Sequence, residues 1–176
     1  AKFNANQVIE NKIGKSDKYD HAMQNLSHYL GLQKTNLLIE GYDVSHHAGK
    51  YAVASAVKFS NSGPDKNAYK LYNIDPFYAG NDVGSIEHVL RRRAKKASQY
   101  PLPDIILIDG GKAQLNAALR IFNSIDSTHP IILSIVKGVK RVRATETILS
   151  EQGILEIPLN SPGFILLQQI RDESHR

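Results

Sequence analysis

The stretch Pro103-Asp104-Ile105-Ile106-Leu107-Ile108-Asp109-Gly110-Gly111-Lys112 leaves the chain few ways to fold. The apolar run from Ile105 to Ile108 has the pattern of a strand buried on both faces, which needs covering layers above and below a sheet. The run stops at Asp109, two glycines and a lysine follow, and a helical pattern begins. A carboxylate is thereby predicted at the C-terminal end of a buried strand, where α/β sheets bind ligands. Gly110 and Gly111 allow close approach of a backbone or a phosphate. Lys112 adds positive charge near the N-terminus of the next helix, where anions are already favoured. An ordinary strand–turn–helix with Asp109 as a cap would look the same, so the question is whether other acidic residues converge on it.

The remaining pattern supplies the layers. Residues 1–35 are polar and rich in Lys and Asn, with helical spacing at Val8, Ile9 and Ile13 and again at Met23, Leu26, Tyr29 and Leu30; Ser16-Asp17 marks the start of the second helix. This is a helical lead-in or linker, and residues 36–176 form the main domain. Leu37 to Val44 reads as a first strand that also ends near an aspartate, Asp43, with a turn at Ser45 to Lys50. Tyr51 to Phe59 and Asn67 to Ile74 alternate with a period of two, and Asn61-Ser62-Gly63-Pro64 is turn chemistry, so the three strands form an antiparallel meander. Asp82 opens a helix running to about Ser98, whose apolar stripe is Val83, Ile86, Val89, Leu90, Ala94 and Ala97. After the Ile105 strand come a helix over Ala113 to Ile125 and a buried strand from Pro130 to Val136. A basic loop from Lys137 to Arg143 and a short hairpin follow, then a last helix opened by Ser161-Pro162.

The order is three antiparallel strands, helix, strand, helix, strand, helix. If the Ile105 strand pairs parallel with the first strand through a crossover, Asp43 and Asp109 end up side by side. Two neighbouring carboxylates repel unless a cation lies between them or one keeps its proton. Hard oxygen ligands select Mg²⁺ or Mn²⁺ over zinc. Asp82 at the head of the crossover helix can approach the same point, and His175 on the last helix could supply an imidazole, although a histidine near a helix C-terminus is as readily explained by the helix dipole. Such a set suits phosphodiester hydrolysis by an activated water.

Charge and composition are compatible with this. The net charge of +5 and pI near 9.3 favour an anionic partner. Arg91, Arg92 and Arg93, with Lys112, Lys137 and Arg141, form a candidate track for a nucleic-acid backbone, and His46 is placed to touch phosphate or orient Asp43. The absence of cysteine excludes disulfides and thiolate metal sites. No apolar run reaches the roughly 18 residues of a membrane span. The chain opens on Ala1 and closes on Arg176 within a helical pattern, which suggests a piece of a longer protein.

Read in order, Tyr42-Asp43-Val44-Ser45-His46, Gly80-Asn81-Asp82, Val89 to Arg93, Pro103 to Leu115 and Leu166 to Arg176 resemble the C-terminal endonuclease region of the UvrC family, the incising component of the bacterial ABC excinuclease. The resemblance covers the chain from about Ile39. It implies an α/β, ribonuclease H-like mixed sheet and a cytoplasmic bacterial endonuclease, dependent on Mg²⁺ or Mn²⁺. Such an enzyme makes the 5′ incision in damaged double-stranded DNA during nucleotide excision repair, after loading by UvrA and UvrB. The family's catalytic acids and histidine fall on Asp43, Asp82, Asp109 and His175; on this reading Asp43 and Asp109 hold the metal, Asp82 completes the acidic cluster, and His175 is a ligand or proton-transfer group. Two departures stand out: Asn81 replaces a frequent second aspartate, and Ala144-Thr145 precedes Glu146 where the family tends to keep a glycine. The family's N-terminal nicking domain, UvrB-binding segment and helix-hairpin-helix domain have no match here, so damage targeting is expected to lie elsewhere. Rival readings are a non-catalytic DNA-binding module of this fold, and a resolvase or hybrid nuclease.

Overall fold

The apolar run beside Asp109 forms the strand Ile105–Asp109, and its first four residues are at most 1% exposed. Ile105 and Leu107 join one apolar cluster and Ile106 and Ile108 the other, so this strand separates two cores. Burying each such side chain stabilises by about 1.5–3 kcal/mol. The computed structural model describes residues 2–47, 51–125, 129–138 and 145–176, with side chains from residue 14 onward.

In chain order the elements are α1 (Lys2–Tyr29), β1 (Ile39–His47), β2 (Tyr51–Ser60), β3 (Gly63–Pro64), β4 (Lys70–Ile74) and α2 (Asp82–Lys95). They continue as β5 (Ile105–Asp109), α3 (Lys112–Asn123), β6 (Ile131–Lys137), β7 (Glu146–Ser150), β8 (Gly153–Ile154) and α4 (Pro162–Ser174). The described strands form one mixed sheet in the order β3-β2-β1-β5-β6-β7-β8, with β4 also on β2. β1 pairs antiparallel with β2, and β2 with β4. β5 lies parallel between β1 and β6. α1 and α4 supply the core on one face, through Met23, Leu26, Phe164, Leu167 and Ile170. α2 and α3 supply the other, through Ile86, Val89, Leu90, Leu115 and Phe122. No described helix is long and apolar enough to cross a membrane.

Several local expectations are revised. The lead-in is one continuous helix of 28 residues, not two. Gly14 weakens a helix by about 1 kcal/mol but does not stop it, and no proline intervenes. The segment Ser45 to His47, read as a turn, extends β1 along β2, with His46 opposite Ala52 and His47 opposite Tyr51. Residues 66–68 form a 3-10 turn, so β4 begins at Lys70 and not at Asn67.

Arg93 is a further correction. The basic run groups it with an exposed face, but its side chain is 8% exposed and points into the protein. Its Nε donates to Glu40 Oε1 at 2.9 Å and its Nη2 to Glu40 Oε2 at 3.0 Å, and Tyr42 also donates to Glu40 Oε1 at 2.6 Å. The remaining donors reach the carbonyls of Tyr100, at 2.8 Å, and Pro101, at 2.7 Å. The side chain follows the α2 stripe one turn beyond Val89 and Leu90, which aims it at β1. It cross-links α2, β1 and the loop into β5, and is not free for DNA.

Candidate active site

The parallel register of β1 and β5 runs from Ile39 opposite Ile105 to Tyr42 opposite Ile108. One step further brings Asp43 beside Asp109. Because side chains alternate between sheet faces, both carboxylates project toward α4, as Ile39 and Leu107 do. Their side chains are 11% and 23% exposed.

α4 carries His175 to the same point. Ser161 caps its first turn, accepting from the Phe164 amide at 3.4 Å, and Pro162 fits the position whose amide needs no partner. At the other end, His175 Nδ1 lies 3.1 Å from Asp43 Oδ2 and His175 Nε2 lies 2.6 Å from Asp109 Oδ2. One ligand atom from each of the three residues lies within 4.8 Å of the others.

Three features hold the helix down over β1. Gly41 leaves room for it: a Cβ there would stand 2.6 Å from Ile170 Cγ2 and 3.1 Å from Val57 Cγ2. Ser55, opposite Asp43 on β2, donates its hydroxyl to the carbonyl of Ser174. Arg171, one turn before His175, forms an ion pair with Glu146 of β7, their side chains 10% and 7% exposed. Arg171 Nη2 also meets Asp172 Oδ1 at 2.8 Å.

The electrostatics are those of a site short of positive charge. Burial raises the Asp43 pKa above the ordinary carboxylate value; His175 opposes the rise and Asp109 adds to it. Burial also raises Asp109, against the pull of His175, Arg171 and Lys137. Two partly desolvated carboxylates with open oxygen lone pairs, beside one imidazole, make a donor set suited to a hard divalent cation.

Asp82 stands apart from this group. Asn81 takes the capping role, accepting from the Gly84 amide at 2.9 Å, and Asp82 is the first helical residue with a side chain 60% exposed. Its Oδ1 lies 2.5 Å from His46 Nε2, while His46 Nδ1 accepts from the Gly80 amide at 3.4 Å. That pattern makes His46 the donor to Asp82. His46 is two residues on from Val44 and faces the α2 side, whereas Asp43 faces α4, so the two acidic groups flank the end of β1 from opposite faces.

Among the other basic candidates, Lys137 is exposed and close enough for its charge to lower the pKa of Asp109. Lys112 is exposed at the start of α3. Arg91 and Arg92 lie on α2, across the sheet from His175. Arg91 is 3.9 Å from Glu87, and Arg92 donates to the Asn73 carbonyl at 3.2 Å and stacks over Tyr72. Arg141 lies outside the described residues. Sequence reasoning missed Ser55, Glu146 and Gly41. Ser55 had a signal, since it breaks the otherwise apolar face of Val53, Val57 and Phe59. Glu146 had a signal only as the glutamate of the family's glycine–glutamate pattern, and its partner on α4 is distant in sequence.

Similarity to known proteins extends over nearly the whole chain. Residues 27–176 match the family described as the UvrC RNase H endonuclease domain. The chain is 39% identical to the UvrABC system protein C of Hahella chejuensis, aligned over 100% of the chain and 29% of that protein. It is 38% identical to the protein of the same name from Pasteurella multocida, over 100% of the chain and 30% of the relative. It thus spans about three-tenths of the length of these relatives. Among solved structures, Ciona intestinalis Endonuclease V in complex with an inosine-containing 24mer DNA aligns with a TM-score of 0.46 at 13% identity, covering 77% of this chain and 59% of that one. On the family match and the identities over the whole of this chain, the chain belongs to the UvrC RNase H endonuclease domain family.

Proposed function

We propose that this chain is the divalent-metal-dependent nuclease unit that makes the 5′ incision in damaged DNA during nucleotide excision repair, acting in the bacterial cytoplasm on DNA to which UvrA and UvrB have loaded it. The convergence of Asp43, Asp109 and His175 is the observation that carries the reading. Asp43 and Asp109 would hold the ion, Mg²⁺ or Mn²⁺, through their carboxylate oxygens. Such an ion would neutralise the buried negative charge and lower the pKa of a water, so that hydroxide could form and attack phosphorus. His175, with one ring nitrogen toward each acid, moves a proton at the attacking or leaving oxygen. Asp82 holds His46 at the opposite flank, where the imidazole meets a phosphate oxygen. Lys112 and Lys137 attract the DNA backbone close to the acids, and Arg91 and Arg92 act further off on α2. We take residues 36–176 as the nuclease unit and residues 1–35 as its helical lead-in, whose Ala22, Met23 and Leu26 complete the core beneath α4.

The test is incision of a lesion-bearing duplex by a full-length protein carrying this sequence, with UvrA, UvrB and Mn²⁺ present. Asp43→Asn is expected to abolish the 5′ cut while DNA binding persists. Retained incision in that variant overturns the proposal. Preferential cutting of a four-way junction or an RNA–DNA hybrid would assign the same chemistry to a different substrate.

A further inference from the structure

Asp43, Ser55 and Leu71 occupy one lateral row across β1, β2 and β4. Directly paired residues share a sheet face, and the Ser55 bond to the Ser174 carbonyl fixes that face as the α4 side. From the acidic group toward the free edge at β4, a groove of about 580 Å³ follows this row. Its floor is Ser55, Val57, Tyr69 and Leu71, and its walls include Lys66, Glu173 and Arg176. Arg176 directly follows His175 and Ser55 is the cross-strand partner of Asp43, so the groove lies next to the acidic site.

The lining suits a strand of nucleic acid. Leu71 is 75% exposed, a bare apolar side chain in the middle of the floor. Tyr69 presents a half-buried ring, its hydroxyl held by Glu173 at 3.3 Å. Lys66 and Arg176 are exposed cations, and Glu173, the one acid among the described residues lining the groove, is engaged by Tyr69 and lies 3.8 Å from Arg176 Nε. Lys70 stands at the outer edge with its ammonium over the Tyr100 ring. Cations beside an apolar and aromatic floor are the means by which proteins hold single strands, through phosphates and base faces.

We propose that this groove guides the DNA strand to or from the cutting centre, with phosphates on Lys66 and Arg176 and sugars and bases over Leu71 and Tyr69. The inference rests on the nuclease reading for the identity of the polymer. Two strand spacings separate Asp43 from Leu71, roughly 10 Å, or about three nucleotides at a rise of 3.4 Å each. The groove contacts therefore fall within about three nucleotides of the cut.

The test measures binding of a fluorescein-labelled single-stranded DNA oligonucleotide by anisotropy across a salt series, in the Asp43→Asn background so that the probe survives. Lys66→Gln/Arg176→Gln is expected to flatten the slope of log affinity against log salt by about 1.4, at roughly 0.7 per lost phosphate contact, equivalent to about 25-fold per decade of salt. Lys66→Glu/Arg176→Glu should weaken binding further. Lys15→Glu/Lys18→Glu on α1 makes the same change in net charge away from the groove and should leave most of the slope intact. An unchanged slope in the groove variants, an equal loss in the α1 variant, or no binding by the Asp43→Asn parent overturns the proposal. Incision by the unmodified protein is scored separately, so a failed nuclease reading and a failed groove give different results.

Discussion

Replacing Arg93 by methionine would leave the Glu40 carboxylate, with a side chain only 10% exposed, without its cation. Arg93 makes two charge-assisted hydrogen bonds to Glu40, at 2.9 and 3.0 Å, and two more to the carbonyls of Tyr100 and Pro101. Removing one partner of a buried ion pair costs about 3–5 kcal/mol, chiefly because the other charge stays behind. The two carbonyls lie in a loop where water can replace the lost donors, so about 4 kcal/mol is the expected total. For a chain of this size each kcal/mol lowers the melting temperature by about 2–4 °C, which gives a fall of roughly 8–16 °C. Scanning calorimetry or urea unfolding reads this directly. Glu40→Gln/Arg93→Met removes both charges and leaves an acceptor for the Tyr42 hydroxyl, so it should recover at least half of the loss, as expected when coupled sites are changed together. DNA affinity and its salt slope should not change in the single variant once it is folded. A loss below about 1 kcal/mol, or a slope reduced by about 0.9 with the melting temperature intact, would put Arg93 back on the solvated DNA-facing surface.

Metal removal and pH form a linked expectation. Asp43 and Asp109 have raised pKa values in the folded protein, so the fold holds these protons more tightly than the unfolded chain does. In metal-free buffer the associated stability is fully present below the ordinary carboxylate pKa and is lost as pH rises through the raised values. Near neutral pH, Mn²⁺ at about 100 times its dissociation constant should add about 2.7 kcal/mol; EDTA should remove it, Asp43→Asn should abolish it, and a melting temperature indifferent to Mn²⁺ refutes the site. His175→Gln should lower the incision rate by about 10²–10⁴ with DNA binding intact, whereas unchanged single-turnover rates would reduce His175 to a structural group. Among the described residues, Glu146→Gln leaves Arg171 with the exposed Asp172 as its remaining acid partner, and should cost about 2–3 kcal/mol by urea unfolding; a smaller incision rate is expected as well, since Arg171 anchors the last turn of α4.

The sheet is legible in the sequence because its strongest signals are local. An unbroken apolar run ending in Asp109, and a second ending near Asp43, need only a parallel pairing to become neighbours. His175 can be placed there only through the family resemblance, because nothing in a polar helix end reveals which strand it will cover. Asp82 falls correctly at the head of its helix, but its attachment to His46 is hidden because Ser45, His46 and His47 read as part of a turn while their backbone extends β1 by pairing with β2. Arg93 is misread because a run of three arginines looks solvated as a group, although helical geometry puts one of them on the buried stripe. Its acidic partner lies more than fifty residues earlier, at a distance no periodicity can span.

The missing methyl at Gly41 sets the clearance between two layers of the molecule. With only hydrogen there, the terminal helix settles against the central strand, and its imidazole descends to the level of both acids. An alanine would act as a spacer under one end of a lever: a small lift at Ile170 would carry the ring out of reach, although every group named in the reaction remained in the sequence. Chemical competence at the sheet's end is in this sense a matter of thickness as much as of composition.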